Sequence, residues 1–170
     1  MTSYKELLDI GEDFESFVGH GLPAEISAIR TLQARLAEPE VISAVSQQRL
    51  GAVRRRYHLL VAGEMWCPDC QINITVMDYL QRSQPNIDLA IITRGRAENQ
   101  LEQRLTLERI PIPLVVVLDE QFQPVGRFVE QPQQVALGGD AVKPDYRAGK
   151  YLESTVQELL DIFEACQAQT

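Results

Sequence analysis

His58-Leu59-Leu60-Val61-Ala62-Gly63-Glu64-Met65-Trp66-Cys67-Pro68-Asp69-Cys70 is the stretch on which the reading of this chain turns. Residues 58–62 form an apolar run of strand length. From residue 68 to 82 the apolar positions Ile72, Val76, Met77 and Leu80 recur at helical spacing. A strand that feeds a helix through so short a link puts Cys67 at the helix N-cap, where it is expected to be exposed. Pro68 then takes the first helical position, whose N–H has no partner to lose. Free backbone N–H groups and the helix dipole at that end favour a thiolate on Cys67. Cys70 falls one turn deeper, close enough to close a disulfide. The expected cycle is attack by Cys67 on a target disulfide and release of the mixed disulfide by Cys70. Asp69 acts in two directions, stabilising the helix start while opposing a negative charge on Cys67. A moderately reducing site is the expectation.

Downstream, Pro85-Asn86 breaks the chain and residues 87–93 read as a second buried strand. Residues 96–107 suggest a helix with Leu101 and Leu105 inward. Leu114 to Leu118 is a strongly β-prone run, and residues 119–123 read as a hairpin turn into a fourth strand over 125–129. Residues 131–149, with Gly138-Gly139 and Pro144, are expected to be a long loop. A last helix from about 151 to 166 turns Leu152, Val156, Leu159, Leu160 and Phe163 inward, with Cys166 as a small core residue. A β-α-β opening requires a parallel pair with a right-handed crossover, and the hairpin adds an antiparallel edge. The fold class is therefore α/β, a mixed four-stranded sheet flanked by helices.

Upstream, residues 1–50 read as a helical N-terminal extension packed on a domain of residues 51–170. Ser3 and Glu6 have capping-box spacing, and Leu7, Ile10, Phe14 and Phe17 suggest one helix ended by Gly19 and Gly21. Pro23 opens a second, with Ile26, Ile29, Leu32 and Leu36 as its apolar stripe, and Val41 to Leu50 suggests a third.

Composition narrows the function classes. The chain of 170 residues is 45% hydrophobic and carries a formal charge of −8. That charge argues against a nucleic-acid partner, because phosphate binding draws on Lys and Arg. The one basic run, Arg54-Arg55-Arg56, reads as a solvated strand entry. No apolar run reaches the length needed to cross a bilayer, so no membrane partner is expected. The N-terminus lacks an apolar signal core, which points to the cytoplasm. Three cysteines, Cys67, Cys70 and Cys166, are too few for a disulfide scaffold. Zinc needs about four ligands, and His20 and His58 lack ligand spacing to the cysteines. No metal and no cofactor beyond the two cysteines is expected.

Arg109-Ile110-Pro111-Ile112-Pro113 leads straight into the third strand. A proline there suggests a tight entry, in which the bond can be either cis or trans. Such a turn can place the backbone of Ile112 beside the sulfurs, where it could pair with an extended substrate segment.

Strand, Trp-Cys-x-x-Cys, helix and a proline before the next-to-last strand together resemble the thioredoxin superfamily. Glu64-Met65-Trp66-Cys67-Pro68-Asp69-Cys70 is similar to a bacterial branch with a Glu-x-Trp-Cys-x-Asp-Cys signature and a helical N-terminal extension. The resemblance implies Cys67 as nucleophile, Cys70 as resolving thiol and Pro113 as the cis-proline that positions substrate. Trp66, Pro68, Asp69, Glu64 and Ile112 would support them. Thioredoxins proper keep a buried acid on the strand six residues before the nucleophile, and that position here is Val61. Pro68 stands where glycine is usual and Asp69 where proline is usual. Glu64 and Asp69 are the candidates to replace the acid.

Two function classes follow. One is a thiol–disulfide oxidoreductase acting on a disulfide-containing protein or small thiol substrate and recharged by an unidentified electron donor. The other is a thioredoxin-fold binding module or redox sensor. The intact cysteine pair favours the first, and the missing acid at Val61 favours the second.

Overall fold

A computed structural model describes residues 2–169 of the chain. Its sheet is built from β1 (Tyr57–Ala62), β2 (Ile87–Ile92), β3 (Leu114–Leu118) and β4 (Pro124–Val129), in the order β2-β1-β3-β4. β1 runs parallel to β2 and antiparallel to β3, and β4 is antiparallel to β3. The mixed four-stranded sheet expected from the sequence is therefore present. Leu59 to Ala62 and all of β3 are buried, as continuous apolar strands covered on both faces must be.

The register fixes where the chemistry falls. Ala62, the last residue of β1, pairs with Leu114, the first residue of β3. The chain leaves β1 toward Cys67 at the same sheet end where it enters β3 from Pro113. Two segments far apart in sequence meet there because two antiparallel strands are in this register.

α5 (Pro68–Ser83) crosses from β1 to β2 and packs against β2, α3 (Pro23–Leu36) and α9 (Leu152–Gln167). With neighbours on several sides it is buried around most of its circumference, from Cys70 and Ile72 to Leu80. α6 (Arg94–Leu105) follows β2.

The N-terminal residues form α1 (Tyr4–Ile10), α2 (Phe14–Gly19), α3 and α4 (Ala44–Gly51). Ser3 and Glu6 make the capping box at the start of α1. The single helix expected over this first segment is instead broken at Gly11. There Glu12 exchanges backbone hydrogen bonds of 2.8 and 2.9 Å with Ile91 on the free side of β2. A Cβ on Gly11 would lie 2.8 Å from the Cβ of Ala90, so only glycine lets the chain come this close. α4 begins at Ala44, later than expected, because Ser43 accepts from the Ser46 N–H and caps it. Leu7, Phe14, Phe17, Ile29, Leu32 and Leu50 share one hydrophobic cluster with the sheet and α5.

The segment 131–149 is mostly helical, not a loop. It forms α7 (Gln133–Gly138), a 3-10 turn (Gly139–Val142) and α8 (Lys143–Arg147). Pro144 lies at the start of α8, where proline favours a helix, and Gly139 has the positive φ of 62° that separates the first two pieces. The basic run is also more than a solvated entry. Arg55 is partly buried, donates to Glu120, and reaches the carbonyl and sulfur of Cys166 at 3.3 and 3.2 Å. Arg56 pairs with Asp88 at 2.6 Å.

Candidate functional site

Cys67 is the N-cap of α5 and Pro68 occupies the first turn, the positions read from the sequence. Cys70 follows within that turn, and both are free thiols. The expected exposure of Cys67 is corrected by the structure: it is only 7% exposed, while its neighbour Trp66 is 59% exposed. The loop ahead of β3 lies against the Cys67 sulfur. The Ile112-Pro113 bond is cis, and the carbonyl oxygen of Ile112 accepts from the Cys67 sulfur at 3.7 Å.

Two groups hold this arrangement in register. The Pro113 carbonyl accepts from the Glu130 N–H at 2.8 Å, and the Glu130 carbonyl accepts from Asn73 Nδ2 of α5 at 3.1 Å. Glu130 thus ties the entry of β3 to the helix that carries the cysteines, using a left-handed backbone with φ of 62°. Gln71 anchors the other side of the cysteine loop, donating to the Met65 carbonyl at 2.7 Å.

The electrostatics of the two thiols diverge. Cys67 is drawn down to about 7, chiefly because the Cys70 thiol donates to its sulfur. Burial opposes that shift. The backbone N–H groups of Cys70 and Asp69 assist it, although none makes a full capping hydrogen bond to the sulfur. The Asp69 carboxylate also pushes Cys67 upward, the opposing effect read from the sequence, and the lowering effects win. Cys70 moves strongly upward, because its thiol donates a hydrogen bond to Cys67 and is buried. The pair therefore holds one readily ionised sulfur at the helix end and one protonated sulfur behind it.

Gly63 lies against this second sulfur. A Cβ there would meet Cys70 Sγ at 3.4 Å and Ile74 Cδ1 at 2.6 Å. Glu64 receives the Cys67 N–H on its backbone carbonyl at 3.3 Å. Val61 is wholly buried on β1. Asp69 accepts from the Tyr146 hydroxyl at 2.7 Å. A cavity of about 450 Å³ opens beside the cysteine loop, with Glu64 and Met65 on one wall and Phe17 and His20 of the N-terminal region on another.

Neither histidine approaches the cysteines as a ligand. His20 bonds Glu12 at 2.6 Å, and His58 stacks on Phe122 with Nδ1 3.1 Å from Asp88. Among the described residues no group of three or more His, Cys, Asp or Glu side chains is gathered for a metal ion. Among them, too, no helix is long and apolar enough to cross a membrane.

Sequence reasoning missed Asn73, Glu130, Tyr146 and Thr155. Asn73 had a signal, a polar residue inside the buried run Ile72-Asn73-Ile74. Tyr146 had a weaker one, two residues after a proline that opens a helix.

The thioredoxin family model matches residues 13–142, most of the chain and all of the sheet. The chain belongs to the thioredoxin family. This thioredoxin-family chain is also similar along nearly its whole length to two solved structures. One is a protein of unknown function from Pseudomonas aeruginosa, 55% identical, covering 98% of this chain and 99% of its own, with a TM-score of 0.95. The other is an HIV epitope-scaffold, 54% identical, covering 96% of this chain and 99% of its own, with a TM-score of 0.93. No curated protein matches the sequence.

Proposed function

We propose that the protein is a thiol–disulfide oxidoreductase of the thioredoxin family, in the branch with the Glu-x-Trp-Cys-x-Asp-Cys signature. The observation that carries this reading is the pairing of an ionisable Cys67 at a helix N-cap with a protonated Cys70 one turn behind it. In the forward direction the Cys67 thiolate attacks a substrate disulfide, forming a mixed disulfide and expelling one substrate thiolate. Cys70 then gives up its proton and attacks the Cys67 sulfur. The mixed bond breaks, the second substrate thiolate leaves, and the Cys67–Cys70 disulfide holds the two electrons' worth of oxidation. A dithiol donor reverses the last step and restores the pair, so no further cofactor is required. The Ile112 backbone and Trp66 frame the entry, suited to an extended disulfide-bearing segment. A reducing cytoplasm is the compartment in which such a pair works as a reductant.

The fully buried Val61 and the low exposure of Cys67 favour a second reading, a binding module or redox sensor with weak turnover. In it, the N-terminal extension and the cavity it walls would hold the partner.

Equilibration of the pair against a glutathione series, read by thiol labelling, with insulin reduction alongside, separates the two. A reversible two-electron transition with turnover supports the oxidoreductase. A pair that fails to cycle refutes it in favour of the binding module.

A further inference from the structure

Tyr146 enters the site from a segment with no place in the dithiol chemistry described above. It lies on α8, in the stretch between the sheet and the last helix, and is 2% exposed. Its hydroxyl touches two groups, Asn73 Nδ2 at 2.9 Å and Asp69 Oδ1 at 2.7 Å. The direction of both bonds is fixed by chemistry. Asn73 is fully buried, and its Nδ2 also faces the carbonyl oxygens of Asp69 and Glu130 at 2.9 and 3.1 Å, which can only accept. Its Oδ1 receives the Thr155 hydroxyl of α9 at 2.6 Å. Asn73 Nδ2 has two protons for these three oxygens and no lone pair with which to accept, so the single hydroxyl proton of Tyr146 goes to the Asp69 carboxylate. Burial holds the phenol protonated, so this donation persists through the pH range in which thiols exchange.

Asp69 stands between the two cysteines in sequence, in the first turn of α5. Its carboxylate is only partly buried, and an N-terminal helical side chain of that kind ordinarily turns to water. Here it is bound to a rigid phenol backed by a buried asparagine and a threonine from another helix. The negative charge that acts on both sulfurs is thus held in one position. Arg147, next to Tyr146, is the cation whose field reaches the phenol.

We propose that Tyr146 is a positioning residue of the Cys67–Cys70 site: its hydroxyl anchors the Asp69 carboxylate beside the two sulfurs and so sets the redox balance of the pair. The consequence for redox balance rests on the dithiol reading, whereas the anchoring itself does not.

The test is a thiolate-absorbance titration of Cys67 in the reduced full chain, for Tyr146→Phe, Asp69→Asn and the double variant. Freed from the phenol, the carboxylate turns toward solvent and its field at Cys67 weakens. Tyr146→Phe should lower the Cys67 transition by roughly half a unit. Near pH 7 this should disfavour the disulfide about twofold against glutathione. Asp69→Asn should lower the transition at least as far, and Tyr146→Phe should add nothing in the Asp69→Asn background. An unchanged or raised transition in folded Tyr146→Phe overturns the inference, as does an equal shift with and without the carboxylate. If Tyr146→Phe does not fold, an unchanged transition in Asp69→Asn overturns it alone. A pair that titrates as expected but never closes a disulfide would sink the oxidoreductase reading and leave the anchor standing.

Discussion

The sulfur of Cys67 lies 3.7 Å from the carbonyl oxygen of Ile112, a residue 45 positions away in sequence. That contact follows from the β1–β3 register, which brings Ala62 opposite Leu114. It gives the sulfur an acceptor while it is a thiol and none that favours it as a thiolate. Stabilisation of the thiolate must come from the helix end and from Cys70.

Substitution of the cysteines should separate their roles. Cys67→Ser is expected to abolish disulfide reduction. Cys70→Ser should retain attack and accumulate a mixed disulfide with substrate, visible as a mass adduct released by dithiothreitol. An active Cys67→Ser protein would overturn the assigned order of attack.

Ionisation of Cys67 should govern reactivity. Alkylation of the reduced protein by iodoacetamide should rise with pH through a transition near 7 and label Cys67 before Cys70. Cys70→Ala removes the thiol donor, so the transition should move upward. Peptide mapping at a series of pH values reads both effects, and preferential labelling of Cys70 would contradict them.

The same shifts make stability depend on pH in the reduced protein alone. Cys67 ionises more easily folded than unfolded, so its contribution is present above its ordinary value of 9.0 and is lost as pH falls through about 7. Cys70 holds its proton more tightly when folded, so its contribution is present below 9.0 and is lost as pH rises beyond it. Urea midpoints of the reduced form should therefore climb between pH 7 and 9 and then decline. The disulfide form, which has neither ionisation, should lack this profile.

Gly63→Ala should destabilise the fold by roughly 1–3 kcal/mol, the usual cost of overpacking a close-packed interior. The added methyl meets Ile74 at 2.6 Å and crowds Cys70 at 3.4 Å. Ile74 is fully buried. Chemical denaturation measures the cost, and wild-type stability would show that the helix shifts freely.

Asn73→Ala should cost about 2–3 kcal/mol, because it strands the buried Thr155 hydroxyl and takes the amide donor from the partly buried Glu130 carbonyl. Asn73→Asp, which accepts where the amide donates, should be no better. Thermal melts of both variants decide this, and a neutral Asn73→Ala would mean that water replaces the amide.

The sheet and the position of the cysteines were legible because their signals are local. Apolar runs mark the strands, and Pro68 after Cys67 marks a helix start. What was illegible depends on pieces that meet only in three dimensions. Cys67 meets Ile112, a residue 45 positions away in sequence. Gly11 ends α1 because β2 stands against it, which periodicity alone does not register. Residues 131–149 look like a loop, since their helices are too short to show a repeat. Tyr146 is therefore invisible as a partner of Asp69 until α8 is in place.

The protein has a single tryptophan, and it is the residue bonded directly to Cys67. Its indole stands largely in solvent at the rim of a covered sulfur. The molecule thus carries its own optical gauge. Emission from one chromophore reports on the oxidation of the neighbouring sulfur and on anything that shades the entrance, with no second indole to dilute the signal.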